Sequence, residues 1–147
     1  MKERGYNAWG IERDEQARIL GRDVYGLDPS HILIGDCLDR LAELPQFDVV
    51  SCLSLLHHYV WGLERADAED IMAALSRVTR HVLFVDTGEA HEKWLRKSLP
   101  DWTPEHIQRW LTRKGDFDQV IPLGVDHDDT AMFAGNYGRT LFACIRE

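Results

Sequence analysis

The stretch Phe47-Asp48-Val49-Val50-Ser51-Cys52-Leu53-Ser54-Leu55-Leu56-His57-His58 decides how this chain reads. It opens on a continuous apolar run with β-branched residues, Phe47 to Leu53, the pattern of a strand buried on both faces. It closes on two adjacent histidines. Two shorter apolar runs precede it, and each ends on an acid: Ala8-Trp9-Gly10-Ile11-Glu12, then His31-Ile32-Leu33-Ile34-Gly35-Asp36. In open α/β sheets, ligands bind at the carboxyl ends of the strands. The positions to watch are therefore Glu12, Asp36, Ser54 to His58, and Asp86 to Glu89 at the end of a later run, His81 to Val85.

Helical patterns separate these strands. Asp14 to Tyr25 has acids in its first turn and Ala17, Leu20 and Val24 at helical spacing, with Gly26 and Pro29 as punctuation. Cys37 to Leu44 predicts a short helix closed by Pro45. Asp67 to Thr79 predicts a longer one, with Ile71, Ala74, Leu75 and Val78 as its apolar stripe and Arg77 and Arg80 at its end, where cations complement the dipole. Ala90 to Leu99 reads as helical. Thr103-Pro104-Glu105 is a helix start, a cap followed by proline at the first position, with Ile107, Trp110 and Leu111 behind it. Phe117 to Leu123 and Gly138 to Ile145 read as strands, joined by an acidic, irregular connection from Gly124 to Asn136 that includes Asp126-His127-Asp128-Asp129. Strand and helix alternate throughout, which argues for one α/β domain over residues 1–147. Right-handed crossovers make the early strands parallel. The last two, joined without a helix, are most simply antiparallel.

Composition excludes several classes. The chain has 147 residues, which fits one domain, and 44% hydrophobic content, ordinary for a globular core. No apolar run approaches the roughly 20 residues of a membrane span. Nothing at the N-terminus reads as a secretory signal, so a cytoplasmic location is expected. The net charge is -8, from 17 basic and 25 acidic residues, which disfavours an extensive nucleic-acid surface. A small basic patch from Arg77 and Arg80, or from Arg109, Arg113 and Lys114, stands against a plainly solvated helix face. Cys37, Cys52 and Cys144 show no CxxC spacing and argue against a disulfide framework. Cys52 and Cys144 are expected to be buried. His57-His58 with Asp86, Glu89 and His91 matches no familiar zinc spacing, and adjacent histidines on one element point apart, so no metal is expected.

The order Glu12, Asp36, Phe47 to His58 and an antiparallel final strand resembles the second, third, fourth and last strands of the class I S-adenosylmethionine-dependent methyltransferases. The resemblance covers essentially the whole chain. It implies a Rossmann-like, mostly parallel sheet with flanking helices and an antiparallel final strand. It also implies N-terminal incompleteness. The family's first strand and glycine-rich turn would lie before Asn7, and there is no GxGxG here. Met1 to Tyr6 looks like the tail of the helix that follows that turn. Without that strand, the neighbours led by Trp9 and Val49 would lack a hydrogen-bonding partner.

The resemblance also implies roles. Glu12 would take the cofactor's ribose, since one carboxylate can accept from both hydroxyls. The alternative is a solvent-facing acid opening a loop. Asp36 would accept from the adenine amino group with Cys37 packed against the ring, and the alternative is a helix N-cap. Ser54 and Leu55 would lie near the cofactor. His57 would be a general base, and His58, Glu89 and His91 would face the substrate. Trp94, Trp102 and Trp110 read as packing. The function implied is methyl transfer from S-adenosylmethionine to a small-molecule or RNA acceptor. The competing reading is a non-catalytic binding or dimerisation module that keeps the fold, with a homodimer as its expected form.

Overall fold

The computed structural model describes residues 5–26, 28–126 and 138–147, and the chain falls into two compact units, 1–44 and 45–147.

In the first unit, β1 (Gly10–Glu12) pairs in parallel with β2 (Ile32–Ile34), with Glu12 opposite Ile34. The strand is thus shorter than the run Ala8 to Glu12, beginning at Gly10. Gly5 and Tyr6 are not helical. Between the strands runs α1 (Glu15–Tyr25), started by the Asp14 side chain accepting from Gln16 N–H at 2.8 Å. Gly26 stops it, at φ 61°, the left-handed conformation in which glycine meets no Cβ penalty. The stripe on α1 is not buried. Leu20 and Val24 are each 60% exposed, and none of the helix's residues reaches the core. After β2 comes α2 (Cys37–Glu43), capped by Asp36, whose carboxylate accepts from Leu38 N–H at 3.0 Å. Leu41 is this unit's one buried apolar side chain among the described residues.

The second unit holds a four-stranded sheet, β3 (Phe47–Cys52), β4 (Thr79–Val85), β5 (Gln119–Val125) and β6 (Thr140–Ile145), in the order β3-β4-β6-β5. β3 and β4 are parallel, and β6 is antiparallel to both β4 and β5, as expected. β3 is an edge strand of this sheet. That overturns its reading as a strand buried on both faces: Val49 is 56% exposed, and only Cys52 of the strand is buried.

Among the described residues, three helices serve the unit. α3 (Leu56–Val60) is a short turn of helix after the strand, in a segment that the sequence marked as a strand end and not as a helix. α4 (Ala68–Val78) is capped by Asp67, which accepts from both Glu69 and Asp70 N–H, and buries Ile71, Met72, Leu75, Ser76 and Val78. α5 (Pro104–Lys114) starts at Thr103 and buries Ile107 and Leu111. These meet Leu83, Val85, Phe142 and Cys144 from the sheet, all at most 1% exposed. Burying each such side chain stabilises the fold by roughly 1.5–3 kcal/mol.

Ala90 to Leu99 is a series of hydrogen-bonded turns rather than a helix. Ala90 N–H donates to Trp102 O at 2.9 Å, and the Glu92 carbonyl accepts from both Leu95 and Arg96. The Glu92 side chain within this stretch is fully buried. Gly124 and Val125 belong to β5, while residues 127–136 of the expected connection lie outside the described residues. Among the described residues no helix is long and apolar enough to cross a membrane.

Candidate active site

The candidate residues occupy strand ends in each unit. In the first, Gly35 N–H donates to Glu12 O at 3.0 Å, continuing the parallel ladder past β1 and β2. Glu12 and Asp36 therefore stand at the same end of neighbouring strands, both half-buried. Glu12 Oε1 accepts from Asp14 N–H at 2.8 Å. Asp36 caps α2 and lies 3.5 Å from the Arg13 guanidinium. Both readings of Asp36 had support in the sequence, and its capping role is present. Cys37 is the first residue of α2 and half-buried.

In the second unit, β3 ends in a strained segment. Ser54 has φ 55°, the one non-glycine with positive φ among the described residues. The left-handed conformation costs such a residue about 1–2 kcal/mol. Two interactions hold Ser54 there: its N–H donates to the Asp86 carboxylate, and its Oγ accepts from Arg139 Nη1 at 3.0 Å. Leu55 follows as the N-cap of α3.

Arg139 was not among the residues the sequence marked, nor was Glu92, yet together they hold the centre of this site. Arg139 Nε and Nη2 clasp the two Glu92 oxygens at 2.8 and 2.9 Å, with Glu92 fully buried and Arg139 6% exposed. Glu92 also accepts from Glu89 N–H at 2.8 Å and from Trp94 Nε1 at 2.9 Å. Burial alone would raise its pKa. The bonds from Arg139, Glu89 N–H and Trp94 outweigh that and hold it below the usual value. Asp86 goes the other way: burial raises it, against the Ser54 N–H and the Arg139 charge. A buried arginine preceding an apolar strand needs an acid, and that is the signal the sequence offered. The partner's position is not readable, because contacts far apart in sequence carry no local periodicity.

His57 is 8% exposed and packs ring to ring with His58, centroids 4.3 Å apart. Its Nδ1 has no hydrogen-bond partner among the described residues. Burial first, then the Arg139 charge, push its pKa down to about 4, so the ring is neutral near pH 7. Gly88 explains how it is packed. A Cβ there would lie 3.2 Å from His57 Cγ, 3.2 Å from Glu92 Oε1 and 2.2 Å from Leu95 Cδ1. Only glycine lets the β4 end approach this closely.

Glu89 is buried, accepts from Thr140 N–H at the start of β6, and lies 3.3 Å from His91 Nδ1. His91 is itself exposed. Trp102 and Trp110 pack edge to face, whereas Trp94 is 44% exposed and uses its N–H rather than its ring face. Residues 127–129 lie outside the described residues. No group of His, Cys, Asp and Glu among the described residues is placed to hold a metal ion.

No family model matches the chain, and no curated protein matches it. Solved structures do. WbdD is 18% identical, with a TM-score of 0.69 over 97% of this chain and 31% of its own. An S-adenosylmethionine-dependent methyltransferase from Archaeoglobus fulgidus is 12% identical, with a TM-score of 0.61 over 99% of this chain and 78% of its own. The magnesium protoporphyrin IX methyltransferase of Synechocystis PCC 6803, with bound SAH, is 17% identical, with a TM-score of 0.59 over 95% and 64%. At such identities the likeness is one of fold: the chain has the α/β fold of these methyltransferases. It spans about a third of the first structure's length and about four-fifths of the second's.

Proposed function

We propose that this chain is a single methyltransferase-like domain over residues 1–147 that binds S-adenosylmethionine and directs methyl transfer to a small-molecule or RNA acceptor. The observation that carries the reading is the pair of carboxylates, Glu12 and Asp36, at the same end of adjacent parallel strands. Ligands of open α/β sheets bind at such ends. The chemistry of the pair fits an adenosine, which offers ribose hydroxyls and an amino group, all donors to carboxylate oxygens. The cofactor supplies, when bound, a methyl group on a positively charged sulfur.

The chain's residues are assigned as follows. Glu12 accepts from the ribose, Asp36 from the adenine amino group, and Cys37 packs beside the ring. Ser54 and Leu55 line the methionine end. His57 serves as the base, with His58, Glu89 and His91 toward the acceptor. A neutral His57 with an unpartnered Nδ1 can accept a hydrogen bond from a hydroxyl or amine nucleophile. A base of such low pKa draws the proton weakly, so the larger contribution is orientation and exclusion of water.

The test is calorimetric titration of S-adenosylhomocysteine into the 147-residue chain. Each lost hydrogen bond to a charged group is worth about 1.5–3 kcal/mol, roughly 10- to 100-fold in affinity. Glu12→Ala should weaken binding by that factor. Asp36→Asn, which keeps the helix cap, should do the same. A folded wild-type chain that does not bind, above all one that runs as a dimer, would replace the enzyme reading with that of a binding or dimerisation module.

A further inference from the structure

We propose that Arg139 is a positioning residue that sets the conformation of the segment Ser54 to His58, and that Glu92 is the base on which it is mounted. The inference rests on the methyl-transfer reading only for what that segment is used for. The arrangement is a relay from the buried interior to an exposed strand end. Glu92 uses both oxygens on Arg139 and is itself held by the Glu89 N–H and the Trp94 indole. Arg139 has its remaining terminal nitrogen on Ser54 Oγ. Its carbonyl accepts from Asp126 N–H at 2.9 Å, fixing the backbone that carries it. Ser54 is exposed, yet it sits in a conformation that the chain avoids unless the surroundings impose it.

Two features separate this from a packing role. A buried ion pair is a costly way to stabilise a core, because both charges lose their water, and well-packed apolar residues serve as well or better. The third arm of Arg139 also reaches outward to a serine that has no packing need of it. The planar fork makes both contacts at once, which a lysine cannot do. Ser54 joins the end of β3 to α3, so its φ sets where Leu55 and His57 stand. The ends of β3 and β4 and the start of β6, which lie at one end of the sheet, thereby gain side-chain ties beyond their backbone ladders.

The experiment compares wild type, Ser54→Ala, Arg139→Lys and the double variant by amide hydrogen exchange, with S-adenosylhomocysteine titrations on the same samples. Ser54→Ala removes only the hydroxyl that accepts from Arg139, leaves the Arg139–Glu92 pair in place, and keeps the chain folded if Arg139→Lys does not. Ser54→Ala and Arg139→Lys should each speed exchange across residues 53–58 at least tenfold (roughly the worth of one charged hydrogen bond). Amides of α4 should keep wild-type protection, and the double variant should be no faster than the single ones. Unchanged exchange at 53–58, equal loosening of α4, or multiplying effects would each overturn the proposal. If the wild type binds, Arg139→Lys should weaken affinity about tenfold, and the effect should vanish in the Ser54→Ala background. Affinity unchanged by Arg139→Lys would overturn the link to ligand binding. A wild-type chain that does not bind overturns the cofactor reading, and the exchange pattern alone then decides the role of Arg139.

Discussion

Adding one methyl group at Gly88 tests the packing of the candidate site. The new Cβ would stand 2.2 Å from Leu95 Cδ1, about 1.3 Å inside the shortest comfortable carbon–carbon distance of roughly 3.5 Å. Leu95 is fully buried, so its methyl has nowhere to go without moving another side chain. On the other sides the Cβ meets Glu92 Oε1 and His57 Cγ at 3.2 Å, and Glu92 is pinned by Arg139. Overpacking of this kind costs about 1–3 kcal/mol, and three walls put Gly88→Ala near the top of that range. For a chain of this length, about 3 kcal/mol lowers the melting temperature by roughly 6–12 °C. Thermal unfolding followed by circular dichroism reads it directly. Leu95→Ala alone should cost about 2–5 kcal/mol as a cavity. The double variant should cost less than the sum by about 2 kcal/mol, because the alanine vacates the space that the Gly88 methyl needs. A Gly88→Ala melt within about 1 °C of wild type, or costs additive to within about 0.5 kcal/mol, would refute the steric argument.

Further outcomes follow from the same site. Glu92→Ala removes the buried carboxylate that clasps Arg139, which should cost about 3–5 kcal/mol in urea unfolding. Glu92→Met combined with Arg139→Leu should recover most of it, and an equally unstable double variant would speak against the desolvation account. His57 has a pKa of about 4 folded against 6.5 for the free side chain, so protonation favours the unfolded chain. Its contribution is complete above about pH 6.5 and is lost as pH falls toward 4, approaching roughly 3 kcal/mol. Asp86, raised by burial, acts in the opposite sense, so the effect is read as the difference between wild type and His57→Asn. Parallel stability curves for the two proteins from pH 7.5 to 4.5 would rule the His57 term out.

The fold was legible where local chemistry decides it. Asp14, Asp67 and Thr103 each start a helix as their residue types demand, and the lack of a helical sequence pattern between the last two strands pointed to the antiparallel pair that β5 and β6 form. It was less legible where burial depends on neighbours. The run from Phe47 to Leu53 has the composition of a central strand, yet β3 pairs on one side only within its sheet, and Val49 is exposed. The site divided in the same way. Strand-end residues such as Glu12, Asp36 and Ser54 could be marked because a strand's end is visible in one dimension. Arg139 and Glu92 could not, because their meaning lies in each other. Ala90 to Leu99 shows both effects at once: it reads as helical, yet it is a series of turns with the Glu92 carboxylate buried against Arg139, a partner 47 residues away.

The position of β6 has a consequence for synthesis. The strand drawn from residues 140–145 lies between β4 and β5 rather than at a margin. A chain emerging from the ribosome must therefore hold β4 and β5 apart, or leave β5 unplaced, until residues 140–145 arrive. Until then each presents an unpaired edge, an invitation to associate with another nascent chain. A cell making this protein would feel a delay or nick between β5 and β6 first as aggregation of a half-built sheet, well before any question of catalysis arises.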